Sequence, residues 1–302
     1  MMKRIFSILP LVALLLSCSK VNLPLKEQLP LKEHLCLSVA IPGMSDTKAT
    51  IDGDGDARYV DRCRMQVWLA DSLCYDSTVA VENMHARFNI LLNENPDYVF
   101  LFWADNAEGN YYDTDSLTRV RFNQGYCGNN DARDAFCRSM TSAQMKEIGD
   151  GWILLTRPFG QVNVIADDID DLFARSSSES GSFLPNTVKV SFSAPTEYDV
   201  STGKISAVRE FSYSAPVYSM VTDADESTLV MDYILASEEK SVFDMKVSLL
   251  DPIESIDLDL ANLPLQRNWR TNVRGALLTG EVKASVKIDS QWMGEIGSRW
   301  PY

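Results

Sequence analysis

Alternation of apolar and polar residues at period two is the feature that most limits what this chain can fold into. Met84, Ala86, Phe88, Ile90 and Leu92 fall on one side of an extended segment, and His85, Arg87 and Asn89 fall on the other. Such a run hides its apolar side only as a β-strand, because successive side chains point to opposite faces. The period recurs at Met65, Val67 and Leu69 within Cys63–Leu69, at Val188, Val190 and Phe192, and at Val282, Ala284, Val286 and Ile288. Tyr98–Ala104 is apolar throughout, as expected of a central strand covered on both faces. The turn cluster Asn93–Asp97 predicts that this strand and the one before it form a hairpin. Further strands are expected at Trp152–Leu155, Gln161–Ile165, Phe211–Val217, Leu229–Leu235 and Phe243–Leu250, and the β pattern begins near Leu35. Only three short helices are predicted: Asp131–Arg138, Thr141–Ile148 capped by Thr141, and Asp167–Arg175 with acids at its positive end. Strands and helices do not alternate regularly, which disfavours a doubly wound parallel sheet. The expected fold is all-β with a few short helices, built as two antiparallel β-sandwich domains in tandem.

A chain of 302 residues exceeds what one hydrophobic core usually serves, which supports two domains. The Ser-rich stretch Ser176–Ser182 is the expected boundary, dividing residues 35–178 from 179–302. Residues 23–34 repeat Leu-Pro-Leu-Lys-Glu twice and, with residues 18–22, read as a flexible spacer. Residues 1–17 read as an export signal: Lys3 and Arg4 form the basic start, and Ile5–Leu16 form an apolar run too short to span a bilayer. The run ends in Leu15-Leu16-Ser17-Cys18, which resembles a bacterial lipobox, so Cys18 is the expected lipidated N-terminus. Palmitate-type acyl chains contribute about 0.8 kcal/mol per buried methylene, enough to hold a membrane-anchored lipoprotein without a transmembrane helix.

The net charge of −14 argues against nucleic acid and anionic lipid surfaces as partners. With Cys18 acylated, five cysteines remain, so not all can be paired. Cys127 and Cys137 flank a short segment and read as small buried thiols, with a bridge between them as the alternative. The only histidines, His34 and His85, lie in the spacer and on the polar side of a strand, which leaves no catalytic triad. Asp52-Gly53-Asp54-Gly55-Asp56 places oxygens at alternate positions, as a calcium loop does. It carries Ala57 and Cys63 where such a loop needs Gly and Glu, and it reads as a flexible acidic loop. Asp167, Asp168, Asp170 and Asp171 read as helix-start acids rather than a glycosidase pair. Trp103, Tyr111 and Tyr112 read as packing, with a sugar-stacking platform as the alternative that supports a carbohydrate-binding surface module. Arg267, Arg270 and Arg274 around Trp269 read as partly buried arginines that organise a turn. No catalysis, cofactor or metal is expected.

The segment Leu263–Thr279, with Arg267-Asn268 followed by Thr271, Gly275 and Leu277-Leu278-Thr279, resembles a signature of Bacteroidetes fimbrillin-like proteins. Val60–Trp68, Phe102–Asp105, Tyr111–Thr114, Leu117-Thr118, Arg133–Phe136 and Arg157–Phe159 agree in order, so the resemblance spans most of residues 58–289. Asp289-Ser290-Gln291-Trp292 departs from the family's usual tail. The resemblance implies two transthyretin-like domains on an outer-membrane, cell-surface lipoprotein. It implies a fimbrial anchor, stalk or tip subunit, or an adhesin for a host or bacterial surface glycan or protein. It also implies assembly with other fimbrial subunits by strand exchange. Arg267, Asn268, Arg270, Thr271 and Gly275 are its structural signature. Arg58 is the candidate maturation cleavage point and Glu281–Asp289 the candidate exchanged strand.

Overall fold

The computed structural model describes residues 32–42, 57–94, 96–123, 125–126, 128–178, 185–216, 227–251, 255–279 and 284–289. The first part of the chain forms β1 (Lys32–Ala40), β2 (Arg62–Leu69), β3 (Ser72–Ala80), β4 (His85–Asn93) and β5 (Val99–Asp105). Short strands β6 (Tyr112–Asp113) and β7 (Val120–Phe122) precede β8 (Phe136–Thr141), α1 (Ser142–Ile148), β9 (Trp152–Leu154), β10 (Phe159–Ala166) and α2 (Ile169–Ser178). The rest forms β11 (Thr187–Asp199), β12 (Lys204–Pro216), β13 (Ser227–Leu235), β14 (Ser241–Leu250), β15 (Ser255–Leu265), β16 (Arg270–Gly275) and β17 (Ala284–Asp289).

The strands form four sheets, ordered β4-β1-β9, β3-β2-β5-β8, β13-β10-β16-β17, and β15-β14-β11-β7-β6 with β12 also on β11. The first two enclose Val39, Phe88, Met65, Val67, Phe100 and Phe102. The last two enclose Val162, Val164, Val190, Ile234, Val247 and Val273. A third cluster joins Leu101, Trp103 and Cys137 to Tyr112, Phe159, Tyr198 and Tyr233. β5 therefore sends Phe100 and Phe102 into one core and Leu101 and Trp103 into another, which is why every position of Val99–Asp105 except Val99 is buried. The fold is an all-β sandwich architecture, as its alternation requires.

Several local expectations differ from the structure. Asn93–Asp97 does not close a hairpin: β4 pairs with β1, whereas β5 pairs with β2 and β8, so the connection crosses between facing sheets. Asp131–Arg138 is not a helix. Only Asp131–Arg133 makes a 3₁₀ turn, capped by the Asn130 side chain, and Phe136 onward is drawn into β8 by its ladder with β5. The last residues of the expected spacer, Lys32–His34, already pair with β4. Hydrogen bonding does not divide at 178/179, because β10 lies between β13 and β16, both from later in the chain. Thr141 does cap α1, in a reciprocal capping box with Gln144.

Several carboxylates lie in the interior of this frame, Asp232 among them. Asp232 of β13 accepts hydrogen bonds from Tyr126 Oη at 2.8 Å and Tyr213 Oη at 2.7 Å. Burial pushes its carboxyl up to about 7, against the opposing pull of those two hydroxyls and of Arg133. In the unfolded chain the group would titrate near 3.9. Its folded pKa is raised, so the stability it contributes is complete below about pH 4 and is lost as pH rises towards 7. An Asp232→Asn variant is expected to lose less stability than the parent between pH 5 and pH 8 in urea titrations. Parallel pH profiles for the two proteins would refute the assignment.

Candidate functional site

The signature segment begins at a tight turn. Asn268 sits at φ 62°, a left-handed conformation that asparagine tolerates better than most residues. Its amide donates to Phe159 O at 2.7 Å, and the Arg267 amide donates to Ser237 O at 2.8 Å. The Arg267 guanidinium donates to Tyr198 Oη at 2.6 Å and pairs with Glu238. Gly203, at φ 69°, faces this guanidinium, where a Cβ would approach Nη1 to 3.0 Å. Arg267 thus ties the β15–β16 turn to the β11–β12 and β13–β14 turns. Tyr198 also accepts from the Cys137 thiol at 3.7 Å, so the tie reaches β8. Cys137 is a free buried thiol, pushed up to about 11 mainly by burial; Cys127 lies outside the described residues.

Arg270 opens β16 rather than sitting in a turn. It is buried and its Nε donates to Gln161 of β10. Thr271 Oγ1 donates to Pro264 O at 2.6 Å, and Asn163 donates to Asn272 across the parallel β10–β16 pair at 2.8 Å. Gly275 ends β16 and its carbonyl accepts from the Asp167 amide. The next residues are held by one carboxylate. Asp168, itself buried, accepts from the amides of Leu277, Leu278 and Thr279 at 2.8–3.1 Å and from Thr279 Oγ1 at 2.8 Å. Its carbonyl accepts the first turn of α2 from Leu172. The expected helix-start acid is therefore also a clamp on the signature loop.

A buried ion pair fixes the connection into β10. Arg157 Nε and Nη2 donate to the two oxygens of Asp134 at 2.8 and 2.7 Å, with both side chains 2 % exposed. Burial pushes the Asp134 carboxyl up to about 6 against the pull of Arg157. Arg157 also covers the Phe136 ring at 4.4 Å. Nearby, Asp131 accepts from Tyr233 Oη at 2.7 Å and pairs with Arg58 at 3.5 Å. Asp134 and Arg157 lie in the motifs Arg133–Phe136 and Arg157–Phe159, but nothing in either motif points to the other.

The remaining candidates are dispersed. Trp103 and Tyr112 are almost wholly buried and pack edge-to-face at 5.4 Å, so they form no sugar platform. His34 and His85 lie on the outer side of the β4-β1-β9 sheet. Among the described residues, no three His, Cys, Asp or Glu side chains gather as metal ligands. No described helix is long and apolar enough to cross a membrane. Cys18 and Asp52–Asp56 lie outside the described residues.

The geometry defines a class: facing β-sheets whose polar motifs brace turns and strand ends. The chain belongs to the Family of unknown function (DUF6562), which it matches over residues 27–301. No curated protein matches it. Similar solved structures include a fimbrial assembly protein from Parabacteroides distasonis, at 10 % identity and TM-score 0.45, covering 85 % of this chain and 100 % of that one. The tip fimbrial protein Mfa3 from Porphyromonas gingivalis, with a C-terminal truncation, is similar at 10 % identity and TM-score 0.47, with 85 % and 99 % covered. The fimbrial anchor protein Mfa2 from the same organism is similar at 13 % identity and TM-score 0.43, with 84 % and 97 % covered.

Proposed function

We propose that this chain is a non-catalytic, cell-surface subunit of a fimbria or adhesin complex, with two β-sandwich domains in tandem. It is held at the outer membrane through acylated Cys18 and joined to neighbouring subunits by strand exchange. The observation that carries this reading is the place of β1. This first described strand lies inside its sheet, making nine antiparallel pairs with β4 and three parallel pairs with β9. It buries Leu37 and Val39. A cut at Arg58, whose side chain is 42 % exposed, separates β1 from the rest of the chain. Loss of β1 uncovers two strand edges and an apolar slot, which another subunit's alternating strand can fill by main-chain hydrogen bonds. β17 is suited to such a role: it is an edge strand with six antiparallel pairs to β16. An uncut chain keeps both Cys18 and β1, and serves as an anchor with its slot closed.

Intact-mass measurement of protein extracted from membranes tests this. A diacylated or triacylated Cys18 on an uncut chain is the expected anchor form, and an N-terminus just after Arg58 is the expected exchange-competent form. A protein with neither, confined to the periplasmic side and free of assembled partners, would overturn the proposal.

A further inference from the structure

The outward side of the β4-β1-β9 sheet differs from the rest of this acidic chain. Its inward positions, Val39, Phe88 and Ile90 among them, belong to the core, so the alternate residues face out. Among the described residues, no outward position of these three strands carries a carboxylate, although the chain holds 42 acidic residues. Lys32 and Arg87 stand there instead, with both histidines; Glu82, opposite His85, marks one end. Ser38 pairs with Arg87 on one side and Trp152 on the other, so these three form one row across the sheet. The indole and the guanidinium therefore rise from backbones about 10 Å apart, two strand spacings, either side of a small hydroxyl residue. Trp152 is 46 % exposed and rests on the His85 ring at 4.4 Å. Asn89 follows Arg87 on the same side of β4.

We propose that this face binds an acidic polysaccharide, with a pyranose ring stacked on Trp152 and a sugar carboxylate paired with Arg87. The negative face of an indole attracts the polarised C–H side of a sugar ring. A guanidinium takes a carboxylate through two parallel hydrogen bonds, and Asn89 and Ser38 offer partners to hydroxyls. An acidic peptide fits less well, because a peptide strand needs a free sheet edge, whereas this face offers side chains only. The site needs β1 between β4 and β9 and so belongs to the uncut chain, whatever the acylation of Cys18.

Calorimetric titration of the full chain with polygalacturonate oligosaccharides, beside dextran and poly-glutamate, tests the assignment. Polygalacturonate is expected to bind, and dextran and poly-glutamate much more weakly. Trp152→Ala and Arg87→Ala should each weaken binding about tenfold, the scale of one lost ring or charge contact, without changing the melting temperature. Trp152→Phe should retain most of the affinity. Absence of polygalacturonate binding, equal binding of dextran or poly-glutamate, or unaltered affinity in both alanine variants would overturn it.

Discussion

An Arg157→Met variant is expected to unfold about 3–5 kcal/mol more readily than the parent, the usual cost of leaving one member of a buried ion pair behind. The cause is Asp134. Its two oxygens accept from Arg157 at 2.7 and 2.8 Å, and with both side chains 2 % exposed, water does little to screen it. Methionine fills much of the volume but supplies no charge and no donor. The carboxyl, already raised by burial, then holds its proton to higher pH, so the deficit shrinks in acid and grows above neutrality. The double variant Arg157→Met/Asp134→Leu removes both charges and should recover most of the loss, because buried pairs are often replaceable by well-packed apolar groups. Urea titrations of the parent, the two single variants Arg157→Met and Asp134→Leu, and the double variant at two pH values provide the cycle. A single variant as stable as the parent, or a double variant no better than the single, would show that the pair does not brace the entry to β10.

The ease of reading each element from sequence follows from how local its cause is. β4 and β5 were legible because period and two-sided burial are written within each strand. Their partners were not, since Asn93–Asp97 fixes a turn but says nothing of which sheet the next strand joins. Phe136–Thr141 follows a helix-like start and is a strand only because β5 has an open edge. β3 escaped notice because its residues are largely exposed or half-exposed, and β15 despite Ile256, Leu258 and Leu260 at period two. The same limit applies to the candidate site. Arg267 organises a turn, as its motif suggests, whereas Arg270 in the same motif begins a strand. The burial of Trp103 was legible from its place in an apolar strand, whereas nothing beside Tyr112, which Asp113 follows, marked it as buried. The partnership of Asp168 with residues more than a hundred positions later was not.

That partnership makes Asp168→Ala the second large effect. The carboxylate is the acceptor for three successive amides and one hydroxyl, and Leu277 and Leu278 are buried. Each buried donor left without an acceptor costs about 1–3 kcal/mol, so the variant should lose about 3 kcal/mol or more. Asp168→Asn keeps one acceptor oxygen but turns an amide donor towards donors, and should fall between the two. The loss should be local before it is global. Leu277–Thr279 connects β16 to β17, and freeing it loosens the end of β16 while β10, paired on both sides by β13 and β16, keeps its own ladder with β13. Hydrogen exchange should therefore accelerate first at Arg270–Gly275 and only later at Phe159–Ala166. If the strand-exchange reading holds, the Asp168→Ala protein also surrenders β17 more readily than the parent when a competing strand peptide is added. Unchanged exchange at β16 in a variant that is globally destabilised would mean that Asp168 stabilises α2 alone, through its carbonyl and helix-start position, and not the signature loop.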